Sequence, residues 1–130
     1  MSSVFTKIIN GEIAAHVIAE DEFFIAFLDV FPLVKGHVLV VPKVEVDNVF
    51  DLDNETFSKL HLFSKKISKA VEKAIPCERI GVAIIGLEVP HGHIHLIPLN
   101  KIDDINFSKP KIQIADKEMK EILQAIKSNL

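Results

Sequence analysis

The stretch VPHGHIHLIPLN constrains the fold of this chain more than any other part of the sequence. Its three histidines, His91, His93 and His95, stand at every second position inside an apolar run. Because side chains alternate between the two faces of a β-strand, this spacing predicts three imidazoles on one face. Ile94 and Leu96 fall on the opposite face, where we expect them to pack against a helix. The chain must therefore form a sheet that is apolar on one side and lined with histidines on the other.

The remaining pattern predicts an α+β fold with an antiparallel sheet of about five strands. Strands are expected at residues 16–20, 23–29, 37–43, 79–85 and 91–99, where β-branched and aromatic residues are enriched. Apolar residues at spacings of three and four predict one long helix that covers the sheet, capped by Asp53 or Asn54 and ended by Pro76. Short helices are expected at residues 5–9 and from about Asp116 to the C-terminus.

Length and charge limit the classes of function. The 130 residues suit one domain, residues 1–130, and no linker or repeat divides them. A net charge of −3 gives no electrostatic case for nucleic-acid binding. With no apolar run near the ~20 residues of a membrane span and no signal-peptide pattern, we expect a cytoplasmic protein with no membrane partner. Cys77 is the only cysteine, so no intrachain disulfide or cysteine metal cluster can form.

The clustered imidazoles indicate either phosphoryl chemistry or metal binding. Protonating three neighbouring histidines at once is costly, so at least one should remain neutral. A neutral imidazole nitrogen can attack phosphorus when its other nitrogen donates to a fixed acceptor such as a backbone carbonyl. If the third strand neighbours the fifth, His37 adds a fourth imidazole to the same face. The spacing leaves a metal site open, with Asp29, Glu88 and His37 as further candidate ligands.

The motif resembles that of the histidine-triad (HIT) nucleotide-binding family, in which three histidines alternate with apolar residues. Here it reads His91-Gly92-His93-Ile94-His95-Leu96-Ile97. The stretch FTKIINGEIAAHVIAEDEFFIAFLDVFPLVKGHVLVVPK is similar to the N-terminal half of the Hint branch of that family almost end to end. The similar segments cover about residues 4–45 and 78–99. The resemblance implies a HIT-like fold, a site for a purine nucleoside monophosphate or its conjugates, and a homodimer.

The resemblance also implies a reaction at the α-phosphate of a nucleotide, releasing an amine, a nucleotide or another leaving group. His93 matches the nucleophile of the family and would form a nucleotidyl-histidine that water hydrolyses. His91, His95 and His37 would orient His93 and stabilise charge on the phosphoryl oxygens. Asp29 matches the ribose-binding acid. The residues that match the apolar contacts to the nucleotide base, and that could equally belong to the core, are Phe5, Ile8, Phe27, Val30 and Val89.

Two departures from the family pattern change the expected site. Many bacterial members bind structural zinc through positions that here read Ser3, Thr6 and Glu45, so we expect no metal there and no cofactor. In RIGVAIIGLEVPH, Leu87 and Glu88 replace a glutamine and a hydroxyl residue that usually contact phosphate. We therefore expect a phosphoramidase or hydrolase of altered or lower efficiency. The alternatives are a low-turnover nucleotide-binding protein that acts through partners, and a metal-dependent protein that uses the histidine cluster.

Overall fold

The fold is built on one five-stranded antiparallel sheet, in a computed structural model that describes residues 2–130. The strands are β1 (Val17–Glu20), β2 (Phe24–Leu28), β3 (Val38–Pro42), β4 (Arg79–Ala83) and β5 (Ile94–Leu99). Their order across the sheet is β1-β2-β3-β5-β4, and each neighbouring pair is antiparallel. The predicted α+β fold is confirmed, and β3 lies beside β5 as the histidine argument required.

Three α-helices accompany the sheet: α1 (Val4–Ile9), α2 (Asn54–Ala74) and α3 (Asp116–Lys127). Asp53 caps α2, because its side chain accepts the backbone N–H of Thr56. The helix ends before Pro76, as the sequence predicted. Leu60, Ile67, Ala70 and Val71 of α2 are buried in the core, while its lysines and Leu62 are exposed to solvent. None of the helices within residues 2–130 is both long enough and apolar enough to cross a membrane.

The two faces of the sheet differ in their cover. On one face, Ile94 and Leu96 join an apolar core with residues of both α2 and α3, including Leu60, Ile67 and Ile126. The sequence predicted the long helix there, and the C-terminal helix shares the role. The other face carries a smaller cluster with α1. This cluster contains Phe5, Ile25, Phe27, Leu39 and Val41, with Ile8 and Val89 among the residues packed against it.

The predicted start of the last strand was wrong. β5 begins at Ile94, and His91 lies in a bend before it. The cause is a tertiary contact: the N–H of Gly92 donates to the carbonyl of Val46 at 2.7 Å instead of to a neighbouring strand. A Cβ atom at position 92 would lie only 3.0 Å from the backbone nitrogen of Val49. Glycine is therefore required where the two loops meet.

Smaller differences lie in the connections. β4 ends at Ala83, two residues earlier than predicted. Short 3₁₀ turns occupy Val49–Asp51 and Ile102–Ile105, in segments whose sequences carry no helical periodicity. Chain segments of three or four residues leave too little pattern for a periodicity argument to find.

Candidate functional site

Four buried histidines lie together on the α1 side of the sheet. Leu39 of β3 pairs directly with His95 of β5, so both side chains point to the face that carries the smaller apolar cluster. The ring centroids of His37 and His95 are 5.2 Å apart, and those of His93 and His95 are 4.8 Å apart. The exposed fractions of His37, His91, His93 and His95 are 1%, 0%, 6% and 8%. The structure thus brings together the four histidines that the sequence singled out.

His93 presents an unprotonated nitrogen. Its Nδ1 lies 2.7 Å from the backbone carbonyl of His91, and a carbonyl can only accept, so Nδ1 carries the proton. The Nε2 atom then holds a free lone pair and has no hydrogen-bond partner within residues 2–130. Because no fully buried side-chain nitrogen or oxygen in those residues lacks a partner, Nε2 must be reachable from solvent. Phe5 packs edge-on against this ring, with centroids 4.9 Å apart.

A chain of hydrogen bonds fixes the protons of His37 and His95. The backbone N–H of Leu33 donates to Nδ1 of His37 at 3.0 Å, so the proton of neutral His37 is on Nε2. That Nε2 donates in turn to Nδ1 of His95 at 2.9 Å. The remaining proton of His95 is therefore on Nε2, which has no partner within the described residues. His95 offers a hydrogen-bond donor next to the free lone pair of His93.

His91 has both ring nitrogens occupied. Its Nε2 donates to the carbonyl of Pro42 at 2.7 Å, so its Nδ1 accepts from the hydroxyl of Ser3, also at 2.7 Å. Ser3 is itself fixed, because its backbone N–H donates to Glu45 at 2.7 Å and its hydroxyl oxygen caps α1 by accepting the N–H of Thr6. Thr6 donates through its own hydroxyl to the same carboxylate. His91 therefore has no nitrogen left for substrate.

The donors around His91 do not fit structural zinc. A structural site takes four thiolate, imidazole or carboxylate ligands in a tetrahedron. Here the hydroxyls of Ser3 and Thr6 stand beside His91, and each is committed to a hydrogen bond in the network. Hydrogen bonds from Ser3 and Thr6 lower the pKa of Glu45 to about 2, which keeps this carboxylate charged as their acceptor.

Burial shifts the pKa of three histidines downward. It is the main cause that lowers the pKa of His37 to about 4 and that of His95 to about 3. Burial also lowers the pKa of His93, while its hydrogen bond to His91 opposes the shift. At neutral pH all three rings are thus predominantly neutral, which agrees with the proton positions that the hydrogen bonds require.

Asp29 lies at the edge of this face, where its Oδ2 is 3.6 Å from Nε2 of His37. Its Oδ1 accepts the backbone N–H of Phe31, and burial raises its pKa. One ligand atom each from Asp29, His37 and His95 lies within 4.8 Å of the others, a spacing that a metal ion could bridge. The two histidines are already hydrogen bonded to each other, so an ion would have to displace that bond.

The predicted base contacts divide into two groups. Phe5, Ile8, Phe27 and Val89 lie in or against the apolar cluster beside His93. Val30 is separate from that cluster, and its side chain is 56% exposed. The structure therefore brings four of these five residues together.

The loop before the triad exposes its two unusual residues. Leu87 is 89% exposed, while the negative charge of Glu88 acts on both His93 and Asp29 and opposes the loss of a proton from Asp29. The carboxylate of Glu88 therefore lies near the candidate nucleophile, at the position where the sequence predicted the loss of a hydroxyl contact to phosphate.

Sequence reasoning missed two residues, Phe107 and Lys111. Phe107 packs edge-on against His95, with ring centroids 4.8 Å apart. The Nζ of Lys111 lies 5.2 Å from the centre of the Phe107 ring. The one available signal was an aromatic residue within the otherwise polar run NKIDDINFSKP. Nothing in the sequence indicated which face that residue would cover.

Comparison with known proteins places this arrangement in context. The chain matches the HIT domain family over residues 10–102. It is 38% identical over 128 residues to an uncharacterised HIT-like protein of Methanocaldococcus jannaschii, covering 92% of this chain and 97% of that protein. It is 32% identical over 133 residues to the adenosine 5′-monophosphoramidase of Schizosaccharomyces pombe, covering 100% and 99% of the two chains.

A solved structure shares the fold over nearly the whole chain. The Hit-like protein of Bartonella henselae superposes with a TM-score of 0.85 at 31% identity, covering 99% of this chain and 96% of the other. The five-stranded sheet and the long helix are therefore parts of one shared fold.

Proposed function

This chain belongs to the HIT domain family, and we propose that it cleaves nucleoside phosphoramidates or related nucleotides at the α-phosphate through a nucleotidyl-histidine on His93. Relatives named adenosine 5′-monophosphoramidase support nucleotide hydrolysis at the level of the family. The observation that carries the proposal for this chain is the free, solvent-reachable Nε2 of His93, whose tautomer the carbonyl of His91 fixes.

The proposed reaction has two displacements at phosphorus. In the first, Nε2 of His93 forms a bond to the α-phosphorus, and the bond from phosphorus to the leaving group breaks. The leaving group takes the electron pair of that bond and a proton from solvent. In the second, water attacks the same phosphorus, the bond to Nε2 breaks, and a proton returns to solvent. His93 is then neutral again, and the nucleoside monophosphate is released.

The neighbouring histidines support this reaction in different ways. His95 directs its Nε2–H away from His37, where it can donate to an oxygen of the phosphoryl group as negative charge develops. His37 holds His95 in the tautomer that makes this donation available. His91 supplies the carbonyl that orients His93. We assign His93 and His95 to contacts with substrate and the other two to positioning.

Asp29 and the apolar cluster would hold the nucleoside. A carboxylate at Asp29 can accept from both ribose hydroxyls, and the cluster that contains Phe5 and Phe27 offers an apolar surface for a base. The raised pKa of Asp29 fits a partly buried acid that gains hydrogen-bond donors when a ribose binds.

The test is hydrolysis of adenosine phosphoramidate by the wild-type protein and by His93→Ala. We expect the wild type to release AMP and the variant to lose at least about 10⁴-fold in kcat, because the nucleophile is removed. His61→Ala is the matched control, since His61 is exposed on α2 and bonds only to the carbonyl of Phe57. Equal turnover by His93→Ala and wild type would contradict the mechanism.

A second candidate is a nucleotide-binding protein with little turnover. Leu87 is almost fully exposed and Glu88 is acidic, so neither offers a neutral donor to a phosphoryl oxygen. Binding of AMP by a wild-type protein that releases no AMP from the phosphoramidate would favour this candidate. Thermal protection by AMP measures the binding independently of turnover.

We propose further that residues 1–130 form a single domain and that this domain forms a homodimer. The packing of α3 on α2 supports the first statement, because it joins the C-terminal part to the common core. The edge strand β4, where Val82 is 56% exposed, supports the second. Sedimentation equilibrium of wild type and Val82→Glu tests the dimer, and a monomeric wild type would contradict it.

A further inference from the structure

Residues 106–112, here called the strap, cross the histidine face after β5. Phe107 in the strap packs edge-on against His95 and against His37, with ring centroids 4.8 Å and 6.2 Å away. Its ring is half-buried, although it lies between polar neighbours in sequence. The strap is therefore in direct contact with the two rings whose tautomers determine where His95 donates.

The far end of the strap is fixed to the loop that orients His37. The backbone N–H of Ile112 donates to the carbonyl of Pro32 at 2.9 Å. Leu33, the residue after Pro32, donates its backbone N–H to Nδ1 of His37. One anchor of the strap thus contacts the rings and the other contacts the loop that orients them.

Lys111 lies between these two anchors. Its Nζ is 5.2 Å from the centre of the Phe107 ring, and its side chain is exposed. It takes part in none of the ion pairs found among residues 2–130. Lys109 in the same strap differs, because its Nζ pairs with Asp103 at 3.0 Å. Lys111 is therefore available to an anionic ligand, whereas Lys109 is already paired with Asp103.

The charge of Lys111 reaches three groups of the site. After burial, it is the next cause that lowers the pKa of His37. It adds to the effects of burial and of the neighbouring histidines that lower the pKa of His95, and it opposes the effect of burial on the pKa of Asp29. No other lysine or arginine of the described chain contributes to the shifts of these three groups.

We propose that Lys111 binds a non-bridging oxygen of the α-phosphate of the substrate, and that Phe107 is the residue that positions it. This inference rests on the proposed function of the histidine face. An ammonium group is a strong ligand for phosphate, and cation–π contact with Phe107 restricts its long, flexible stem.

The rest of the site explains why such a cation is needed. His37, His93 and His95 are neutral near pH 7 and bring no full positive charge to a phosphate. Glu88 adds a negative charge beside His93. The strap thus supplies positive charge on the side of His95, where the substrate would otherwise meet only neutral donors and carboxylates.

The experiment compares the affinities of AMP and adenosine for wild type, Lys111→Met and Lys109→Met by isothermal titration calorimetry. AMP carries the phosphate and adenosine does not. We expect Lys111→Met to weaken AMP binding about tenfold and to leave adenosine binding unchanged, as loss of one charged hydrogen bond predicts. Lys109→Met removes the same charge from the same strap and should change neither affinity. Lys111→Arg should retain most of the AMP affinity.

A double-mutant cycle tests the role of Phe107. Phe107→Leu keeps an apolar side chain against His95 but removes the aromatic ring that Lys111 contacts. We expect it to weaken AMP binding in the wild-type background and to have no further effect in Lys111→Met, because the two residues act through one contact. Equal losses in both backgrounds would assign Phe107 a purely structural role and overturn that part of the proposal.

The outcomes separate this inference from the proposed function. AMP binding by wild type with unchanged affinity in Lys111→Met overturns the role of Lys111 and leaves the histidine chemistry standing. A loss that is equal for AMP and adenosine also overturns it, because the effect would then not depend on the phosphate. If the wild type binds neither ligand, the proposed nucleotide site is wrong, and the role of Lys111 falls with it.

Discussion

The two sides of the histidine face use their hydrogen bonds differently. On the N-terminal side, both nitrogens of His91 are occupied, by Ser3 and by the carbonyl of Pro42. On the C-terminal side, His37 and His95 form a chain that begins at a backbone N–H and leaves a free N–H on His95. His93 lies between them and keeps one free lone pair.

Three histidines in one motif therefore need not share one kind of role. A ring whose two nitrogens are both hydrogen bonded within the protein, as in His91 and His37, cannot contact a ligand directly, and it is the backbone carbonyl of His91 that orients His93. A ring with one free nitrogen can act on a ligand. At neutral pH, substitutions on the N-terminal side should therefore reduce stability more than catalysis, and substitutions that remove the free donor on the C-terminal side should reduce catalysis more than stability.

Acid should act on the C-terminal side first, and this is the largest effect we expect. The pKa values of His37 and His95 are lowered to about 4 and about 3, so below pH 6.5 the unfolded chain binds more protons than the folded one. The free energy of unfolding should fall as pH drops from 6.5 through those values, by an amount on the order of 3 kcal/mol for His37 and on the order of 5 kcal/mol for His95. Glu45 keeps its charge until about pH 2.

Urea unfolding at a series of pH values measures this loss. His37→Asn should reduce the slope between pH 6.5 and 4, since it removes one of the three histidines whose pKa burial lowers. A free energy of unfolding that stays constant over that range would rule out buried neutral histidines on the C-terminal side.

A substitution of His95 can remove the N–H that Nε2 donates and keep an atom that accepts from His37, as Nδ1 does. The side-chain oxygen of Asn in His95→Asn can still accept from His37, but no N–H remains at the position of Nε2. We expect kcat for adenosine phosphoramidate to fall about 10²–10³-fold, while AMP still binds, as for loss of one donor to developing charge. His95→Gln is the matched variant, because its amide can donate from the distal position, and it should lose less. Equal losses in the two variants would argue against donation by His95.

Gly92→Ala should disturb the N-terminal side through packing. The added Cβ would meet the side chain of Val49 at 2.9 Å and the carbonyl of Val46 at 3.1 Å. Since backbone atoms cannot move aside easily, we expect a loss of about 1–3 kcal/mol in the free energy of unfolding. Thermal and urea denaturation both measure this loss. An unchanged unfolding midpoint would mean that the loops can separate without cost.

Ser3→Ala is expected to have the smallest effect. The variant loses the cap of α1 and the hydroxyl that donates to His91, and we expect it to be about 1 kcal/mol less stable. Its kcat should change less than that of His95→Asn, because His91 still bonds to Pro42. Ser68→Ala, which removes only a solvent-exposed hydrogen bond to the carbonyl of Lys65 in α2, is the control and should be neutral within about 0.5 kcal/mol. If the loss of kcat, converted to a free energy of activation, exceeded the loss in the free energy of unfolding, the division between the two sides would be contradicted.

The sequence pattern predicted the features that depend only on neighbouring residues, namely the two faces of a strand and the start of a helix. The two-residue period placed His95, Ile94 and Leu96 on their faces, and the cap at Asp53 located the start of α2. The start of β5 escaped prediction because Gly92 bonds to a loop 46 positions earlier in the sequence. Periodicity within a short segment carries no information about a contact between segments so far apart in the sequence.

The site was predicted unevenly for the same reason. The four histidines and Asp29 were identified from the motif and its resemblance to a family. Ser3, Thr6 and Glu45 were identified only as replacements for zinc ligands. Their network depends on a contact between residues 3 and 45 that sequence separation hides. The strap lies in a run without periodicity, so neither Phe107 nor Lys111 could be assigned to the histidine face before the fold was known.

Trapping the covalent nucleotide tests most directly whether His93 is the nucleophile. Wild-type protein mixed with adenosine phosphoramidate and quenched in base after milliseconds should carry an adenylyl group on the peptide that contains residues 91–95, and fragmentation by mass spectrometry should place it on His93. The His61→Ala control should give the same adduct, and His93→Ala should give none. An adduct on His91 or His95, or turnover of the wild type without any adduct under conditions in which formation is faster than hydrolysis, would contradict the assignment of His93 as the nucleophile.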